Sequence, residues 1–289
     1  MYLPMGSFRA ALHQFAPAIA DKKANLAAFE RAVRRTRADL HVFPELSLTG
    51  YFARDLLRTL AEPLDGPSVQ RVRAIARRSG AHVLFGMPRA SEIRGVVHNA
   101  AVLVAPDGET WHYDKIHLPT FSVFEEGLYF GPGRETVVAK TGLGRLGLCI
   151  CYDLFFPEVT KTLALSGADV LACISASPNI SRRYFEAVLP ARAVETTSWL
   201  LFCNIAGMQD QVDFWGGSRV HGPRGDERAK APLFEAADVT ETVDLAELDV
   251  ARNRRPVLRD TRRDLFGSLP APSSLPKRAA RRSRARRAR

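Results

Sequence analysis

The amino-acid sequence predicts a layered α/β domain. Short runs rich in β-branched and aromatic residues alternate with amphipathic helical patterns along most of the 289 residues. The composition, 46% hydrophobic and 25% charged, is ordinary for a globular protein with a sizeable core. No apolar run reaches the roughly 20 residues that span a membrane. In folds of this kind, functional groups gather at strand ends and in the loops that follow them.

Helices are predicted where apolar side chains recur every three or four residues. In the first helix Leu26, Phe29, Ala32 and Val33 share one face. The predicted helices span residues 21–38, 67–80 with Gly80 closing the helix, 157–167, and 182–197 with an interruption at Pro190.

Strands are predicted for the shorter runs that are apolar or alternate in polarity. The segment 98–115 is read as a hairpin around the turn sequence PDGE. The predicted strands cover residues 8–17, 40–44, 81–88, 98–115, 145–151, 168–175, 198–207, 216–226 and 239–245.

The positive charge is concentrated at the C-terminus. The net charge is +10, and the final segment KRAARRSRARRAR contributes eight of those charges. A segment rich in proline and serine precedes it. The sequence therefore predicts a domain over residues 1–267 and a linker with a disordered basic tail over 268–289. A solvated tail is the plain interpretation, and contact with nucleic acid or an acidic partner is the alternative function of a different class.

The cysteines do not form a disulfide pattern. Cys149, Cys151, Cys173 and Cys203 lie in apolar segments without C-x-x-C spacing, and the N-terminus lacks a secretory signal pattern. We therefore expect a reducing, cytoplasmic environment and no membrane association.

Cys151 ends a buried strand and precedes a loop that leads into a helix. A cysteine at such a turn can serve as a nucleophile, because the nearby backbone N–H groups favour a thiolate and a developing oxyanion. If the strand runs through both residues, Cys149 and Cys151 point to the same face, with Cys149 one pleat deeper in the core. The alternative is a buried structural cysteine, and a metal site is disfavoured because no ligand cluster lies nearby. Asp153 is expected to cap the turn rather than to take part in catalysis.

Two further polar residues follow strands in the same manner. Glu45 comes directly after the strand that ends at Pro44, and Lys115 ends the hairpin. Taken singly, each is expected to be a solvated loop residue. A nucleophilic cysteine needs a base, and none of the seven histidines can be placed beside Cys151 from the sequence.

Together these segments resemble a known family. FPELSLTGY, YDKIHLP and GLCICYDLFFPE occur in the order of the three signature blocks of the nitrilase superfamily of carbon–nitrogen hydrolases. The resemblance covers nearly the whole chain except the tail. It implies an α-β-β-α sandwich, usually paired as a homodimer, and an amidase that forms a cysteinyl thioester without a metal or cofactor. The implied catalytic residues are Glu45 as base, Lys115, Cys151 as nucleophile and Glu126, with Glu125 as its rival.

The resemblance also implies a branch and a substrate site. ISASPNISRR and NIAGMQDQVDFWGGS are similar to glutaminase domains of NAD synthetases and to stand-alone amidases. Phe121 replaces a tyrosine found in many glutaminases, and no synthetase domain follows, so glutamine is not the expected substrate. N-carbamoyl amines and nitriles remain alternatives to a small linear amide. By analogy, the backbone N–H of Tyr152 completes the oxyanion site, and the substrate-binding candidates are Tyr51, Phe121, Phe155, Ser177 and Arg183, with Arg182 as the alternative to Arg183.

Overall fold

Strands and helices alternate along the chain in a computed structural model that describes residues 6–264. The helices are α1 (Lys22–Arg35), α2 (Leu57–Leu60), α3 (Pro67–Ser79), α4 (Glu126–Tyr129), α5 (Pro157–Leu165), α6 (Arg182–Thr196), α7 (Ala246–Arg254) and α8 (Val257–Asp260). Short 3₁₀ turns span Tyr51–Leu56, Cys151–Phe155 and Asn179–Ser181. The strands are β1 (Ser7–Gln14), β2 (Leu40–Val42), β3 (His82–Ala90), β4 (Val97–Val104), β5 (Thr110–Asp114), β6 (Val137–Thr141), β7 (Gly144–Ile150), β8 (Val170–Ser175), β9 (Trp199–Asn204), β10 (Ala206–Gln209), β11 (Val212–Trp215), β12 (Arg219–His221), β13 (Glu227–Lys230) and β14 (Ala237–Asp244).

Two six-stranded sheets form the centre of the fold. The first has the strand order β14-β1-β2-β3-β4-β5, and the second has the order β13-β12-β9-β8-β7-β6. In the first sheet β1, β2 and β3 are parallel, and in the second β7, β8 and β9 are parallel. The other pairs within both sheets are antiparallel. Because parallel strands end at the same edge of a sheet, the loops after them converge.

The sheets pack face to face, and helices cover their outer faces. Leu12 and Leu103 of the first sheet share one core with Leu148 and Leu201 of the second. On the outer side of the first sheet, α1 and α3 pack Phe29 and other apolar side chains against β3 and β4. On the second sheet, α5 and α6 pack their apolar faces. The predicted four-layer α-β-β-α sandwich is confirmed.

The structure differs locally from the predicted elements. The predicted interruption at Pro190 is wrong, because α6 continues through it. Proline removes one N–H donor, but burial of Leu189 before it and Ala193 after it holds the helix against the sheet. Strand β6, helix α7 and the small β10–β11 hairpin were not predicted.

The predicted domain boundary falls beyond the described part of the chain. Within the described residues, the chain up to Arg259 belongs to one compact unit. The predicted change from domain to linker at residues 267 and 268 lies outside the described residues, as does the basic tail with its predicted nucleic-acid contact. Among residues 6–264, no helix is both long and apolar enough to cross a membrane.

Candidate active site

Cys151 occupies a strained turn at the end of a buried strand. Strand β7 ends at Ile150, and Cys151 begins the 3₁₀ turn with a φ of 46°, a left-handed conformation that non-glycine residues rarely adopt. The strand does not run through both cysteines, so the condition under which Cys149 and Cys151 would share one strand face is not met. Cys149 is a core residue, as expected. Strain of this kind is common at functional sites, where the surrounding structure maintains it.

The carboxylate of Asp153 holds this turn in place. It accepts hydrogen bonds from the backbone N–H of Ile150 at 3.1 Å and from the Tyr113 hydroxyl at 2.8 Å. It also accepts one from the backbone N–H of His117 at 3.0 Å. Asp153 is fully buried. The predicted capping role is confirmed, and the same carboxylate ties the Cys151 turn to the segment that follows Lys115.

Glu45 lies in the loop that follows β2, and its position depends on a glycine in the neighbouring strand. Leu46, the next residue, has a φ of 48°. A Cβ atom on Gly86 of β3 would lie 2.2 Å from the backbone nitrogen of Leu46 and 2.8 Å from the carbonyl carbon of Glu45. Only glycine allows the two segments to approach this closely. The Glu45 side chain is fully buried.

Lys115 joins two buried carboxylates. Its Nζ lies 2.7 Å from Oε1 of Glu45 and 2.6 Å from Oε1 of Glu126. The lysine side chain is 0% exposed, so the alternative of a solvated loop lysine is wrong. The same burial excludes that alternative for Glu45. The lysine follows β5, and its backbone N–H donates to the carbonyl of Asn99 at 2.8 Å.

The structure distinguishes the two candidate glutamates. Glu126 is 3% exposed and hydrogen-bonds Lys115, whereas the Glu125 side chain is 48% exposed and lies 3.8 Å from Arg54. Tyr51 also belongs to this cluster, because its hydroxyl donates to Oε1 of Glu126 at 2.7 Å. Geometry therefore favours Glu126 over Glu125 as the second glutamate of the site.

Sequence reasoning missed three polar groups of the cluster. Asn99 Nδ2 donates to Oε1 of Glu45 at 2.7 Å, and the backbone N–H of Ala176 donates to Oε2 of Glu45 at 2.7 Å. Ser175, at the end of β8, carries a buried hydroxyl without a hydrogen-bond partner among the described residues. The available signals were a lone amide within the apolar run of β4 and a serine at a strand end.

Burial and mutual charge set the protonation of the cluster. Burial raises the pKa of Glu126 to about 7, against the lowering effect of the Lys115 ammonium. Burial disfavours the charged form of Lys115, but the carboxylates of Glu126 and Glu45 outweigh it and hold the pKa of Lys115 above its usual value. Lys115 is therefore a permanent cation, while Glu126 exchanges its proton near neutral pH.

The Cys151 thiol rests in its protonated form. Burial and the negative charge of Glu45 raise the pKa of Cys151 well above its usual value, and Lys115 offsets this only in part. The thiolate that the turn was expected to favour is therefore not the resting form in the free protein, although the Lys115 ammonium acts in its favour. A base must therefore take the thiol proton as the nucleophile attacks.

The remaining predicted substrate-binding residues occupy different places. Phe121 is half-exposed, and Phe155 is partly buried; both rings approach Tyr152, with centroids at 5.5 and 5.6 Å. Ser177 is fully buried, and its Oγ accepts a hydrogen bond from Trp215 Nε1 at 3.1 Å. Arg183 lies at the start of α6 and stacks on the neighbouring Tyr184, while the alternative, Arg182, pairs with Glu186 at 3.0 Å.

A small cavity lies against the cluster. Its volume is about 20 Å³, roughly the space of one water molecule, and Tyr51 and Glu126 form part of its wall. The other lining residues are Phe52, Arg54, Leu57, Val123, Glu125, Tyr129 and Phe130. Arg54 stands at its rim, paired with Asp210 at 2.6 Å. Among residues 6–264, no group of three or more histidine, cysteine, aspartate or glutamate side chains could hold a metal ion.

The four-layer sandwich, with a buried cysteine and carboxylates at its strand ends, defines a class of enzymes: hydrolases that act on carbon–nitrogen bonds. The sequence profile of the carbon-nitrogen hydrolase family matches residues 9–253, and the chain belongs to this family.

Named relatives agree with this assignment. The chain is 32% identical to the "Hydrolase in pqqF 5'region" of Pseudomonas protegens over 266 residues, which cover 91% of this chain and 92% of that protein. It is 35% identical to the glutamine-dependent NAD(+) synthetase of Thermotoga maritima over 268 residues, 90% of this chain and 45% of the synthetase. A structure of a mutant amidase from Nesterenkonia sp. AN1 superposes with a TM-score of 0.80 at 28% identity, covering 93% of this chain and 99% of the amidase. That structure shows covalent addition of the acetamide moiety of fluoroacetamide at the active site cysteine.

Proposed function

We propose that this protein is an amidase that cleaves a small linear amide through a thioester on Cys151 and releases ammonia or an amine. The observation that carries the proposal is the buried cluster in which Lys115 joins Glu45 and Glu126 beside the strained turn of Cys151. Three strand ends supply the nucleophile, the base and the cation that such a reaction needs.

Acylation begins with proton transfer from the Cys151 thiol to the Glu45 carboxylate. The sulfur attacks the amide carbon, and the carbonyl oxygen takes up the negative charge. Glu45 then returns the proton to the leaving nitrogen, the carbon–nitrogen bond breaks, and the acyl group stays on sulfur as a thioester. General acid–base help of this kind contributes roughly 10²–10⁴-fold in rate.

Lys115 and the Cys151 turn supply the oxyanion site. An ammonium has three donors, and Glu45 and Glu126 accept two of them, so the third is available to the developing oxyanion. The N–H of Tyr152 is a second donor, because the first N–H groups of a helical turn have no acceptor within the turn. Each such donor contributes roughly 10²–10³-fold in rate.

Hydrolysis of the thioester uses the same groups in reverse roles. Glu45 takes a proton from water, the resulting hydroxide oxygen attacks the thioester carbon, and the carbon–sulfur bond breaks. The sulfur recovers its proton from Glu45, and a carboxylic acid leaves. Glu126 keeps Lys115 in place throughout and, with Tyr51, forms the wall of the cavity.

One structural neighbour supports a small amide substrate. The Nesterenkonia amidase also has a structure in complex with butyramide, with a TM-score of 0.79 at 27% identity. A short acyl chain next to the carboxamide fits this observation.

An activity panel tests this proposal. Ammonia release is measured with butyramide, an N-carbamoyl amino acid and butyronitrile, for wild type and Cys151→Ala. We expect hydrolysis of the amide by wild type alone. Turnover of only the carbamoyl compound or the nitrile would support those alternatives, and equal turnover by the alanine variant would refute the proposed nucleophile.

We also propose that the enzyme is a cytoplasmic homodimer. All four cysteines are buried and free, which suits a reducing compartment. Helix α6 leaves Tyr184 half-exposed, and Ile180 in the preceding turn is 66% exposed. These side chains suit a contact with a second copy of the chain. Light scattering during size-exclusion chromatography tests this, and a monomer at micromolar concentration would contradict it.

A further inference from the structure

Asn99 connects three members of the charged cluster. Its Nδ2 donates to Oε1 of Glu45 at 2.7 Å and to Oε2 of Glu126 at 3.3 Å. Its backbone carbonyl accepts the N–H of Lys115 at 2.8 Å. The residue lies on β4 and is fully buried. It lies outside the three signature blocks of the family.

The hydrogen bonds determine which way the amide faces. If the amide were turned over, its oxygen would face two carboxylates, so the NH₂ group must point toward Glu45 and Glu126. In this orientation Oδ1 is buried without a partner among the described residues. A residue that served packing alone would not need to bury an unpaired carbonyl in an apolar strand, since an unpaired acceptor destabilises the fold.

The side-chain amide of Asn99 is a neutral donor among charged groups. Two carboxylates face one ammonium, and a second cation would compete with Lys115 for both of them. An amide donates to each carboxylate without adding charge, so Lys115 keeps one donor for the substrate. The titratable groups that face this point are Glu45 from the loop after β2, Lys115 from the end of β5, Glu126 from α4, Tyr51 through Glu126, and the Cys151 thiol.

We propose that Asn99 is a positioning residue for the general base: its side-chain amide holds Glu45 and Glu126 at a fixed separation around Lys115. The inference rests on the amidase function proposed above. Asn99 does not touch the reacting atoms; it acts through the carboxylate that receives the Cys151 proton. Its loss therefore affects the chemical step more than substrate binding.

The test compares three Asn99 variants with a matched control. Asn99→Leu removes the donor, and Asn99→Asp replaces it with a third carboxylate. Asn99→Ser keeps a small hydroxyl donor and serves if the larger changes prevent folding. The control is Asn25→Asp, because Asn25 is also buried, but its side chain bonds only the backbone of Ala18 and Leu48.

The readouts are kcat, KM and the pH profile of butyramide hydrolysis. For Asn99→Leu and Asn99→Asp we expect kcat to fall about 10- to 100-fold with KM nearly unchanged, since hydrogen bonds to charged groups have effects of this size. The acidic limb of kcat/KM should move to higher pH, most in Asn99→Asp, because the cluster holds its protons more tightly. Asn99→Ser should show the same direction with a smaller loss. Asn25→Asp should melt at lower temperature with the wild-type profile.

The outcomes separate this inference from the proposed function. If wild type does not hydrolyse amides, the proposed function fails, and this inference fails with it. If wild type is active and folded Asn99 variants show the kcat and the pH profile of Asn25→Asp, Asn99 has no positioning role and the amidase proposal stands. A folded Asn99→Ser protein with unchanged kcat and profile would likewise overturn the inference.

Discussion

Replacement of Lys115 by glutamine tests both the architecture and the chemistry of the cluster. Glutamine keeps a donor and nearly the same length, but it removes the ammonium that Glu45 and Glu126 share at 2.7 and 2.6 Å. The side chain is fully buried, so water cannot replace the lost partner. Leaving a buried charge unpaired costs about 3–5 kcal/mol. At about 2–4 °C per kcal/mol, the melting temperature should fall by roughly 6–20 °C.

This expectation differs from the one that the sequence supports. A lysine in a solvated loop after a strand would contribute about 0–1 kcal/mol, and its loss would leave the melting temperature almost unchanged. The loss should also be smaller at acidic pH than at pH 8, because Glu126, whose pKa is raised to about 7 by burial, can take up a proton and reduce the uncompensated charge.

The catalytic effect is measured as kcat/KM for butyramide, together with the melting temperature. We expect kcat/KM to fall about 10²–10³-fold, since one oxyanion donor is lost. Lys22→Gln is the control, because Lys22 forms its ion pair with Glu62, outside the cluster; it should lose stability and keep its activity. Near-wild-type kinetics for Lys115→Gln would refute the catalytic role, and an unchanged melting temperature would refute the reasoning from burial.

Three further predictions concern single residues. Gly86→Ala should lower both the melting temperature and kcat/KM, because its Cβ would lie 2.2 Å from the nitrogen of Leu46, next to Glu45. For Glu126, the folded-state pKa of about 7 exceeds the unfolded value of 4.5, so the folded protein binds more protons between these values. The free energy of unfolding therefore falls as pH rises from about 4.5 to 7. Urea unfolding of Glu126→Gln should show a smaller decrease over the same pH range. Asp153→Asn should lower kcat/KM and stability in the same assays, because it weakens a buried acceptor that holds the Cys151 turn.

One control variant is matched to each of these three substitutions, to exclude a nonspecific effect on folding or activity. Gly142→Ala introduces a Cβ with no atom within 4 Å and should behave as wild type. Glu125→Gln changes a half-exposed glutamate and should leave the pH dependence of unfolding unchanged. Asp169 pairs with Arg252 and directly precedes β8, at the end of that strand opposite to Ser175. Asp169→Asn should therefore not slow hydrolysis. If a control and its test variant behave alike, the proposed local cause is wrong.

Most of the layered fold could be predicted because periodicity reports burial directly. The apolar face of α1 and the continuous apolar runs of β7, β8 and β9 are visible in the sequence. Strands such as β6 are half-exposed and carry a weaker pattern. The continuity of α6 through Pro190 depends on tertiary packing, which no local propensity contains.

The candidate site could be predicted only as separate strand ends. Glu45, Lys115 and Cys151 each follow a strand, but the burial of the lysine and its two ion pairs depend on segments 70 and 11 residues away in the chain. The φ of 46° at Cys151 arises from the turn that Asp153 and Tyr113 hold, so the sequence alone suggested a continuous strand. Asn99 could not be predicted as a site residue, because a single amide in an apolar strand forms no recognisable motif.

The nucleophile is the central claim, and mass spectrometry of the acyl-enzyme tests it most directly. Wild type, Cys151→Ala and Cys149→Ala are each mixed with butyramide, quenched in acid during turnover, and analysed intact and as peptides. We predict one added butyryl group in wild type and in Cys149→Ala, located on Cys151, and neither adduct nor ammonia release in Cys151→Ala. A butyryl group on another residue, or full turnover by Cys151→Ala, would contradict the account.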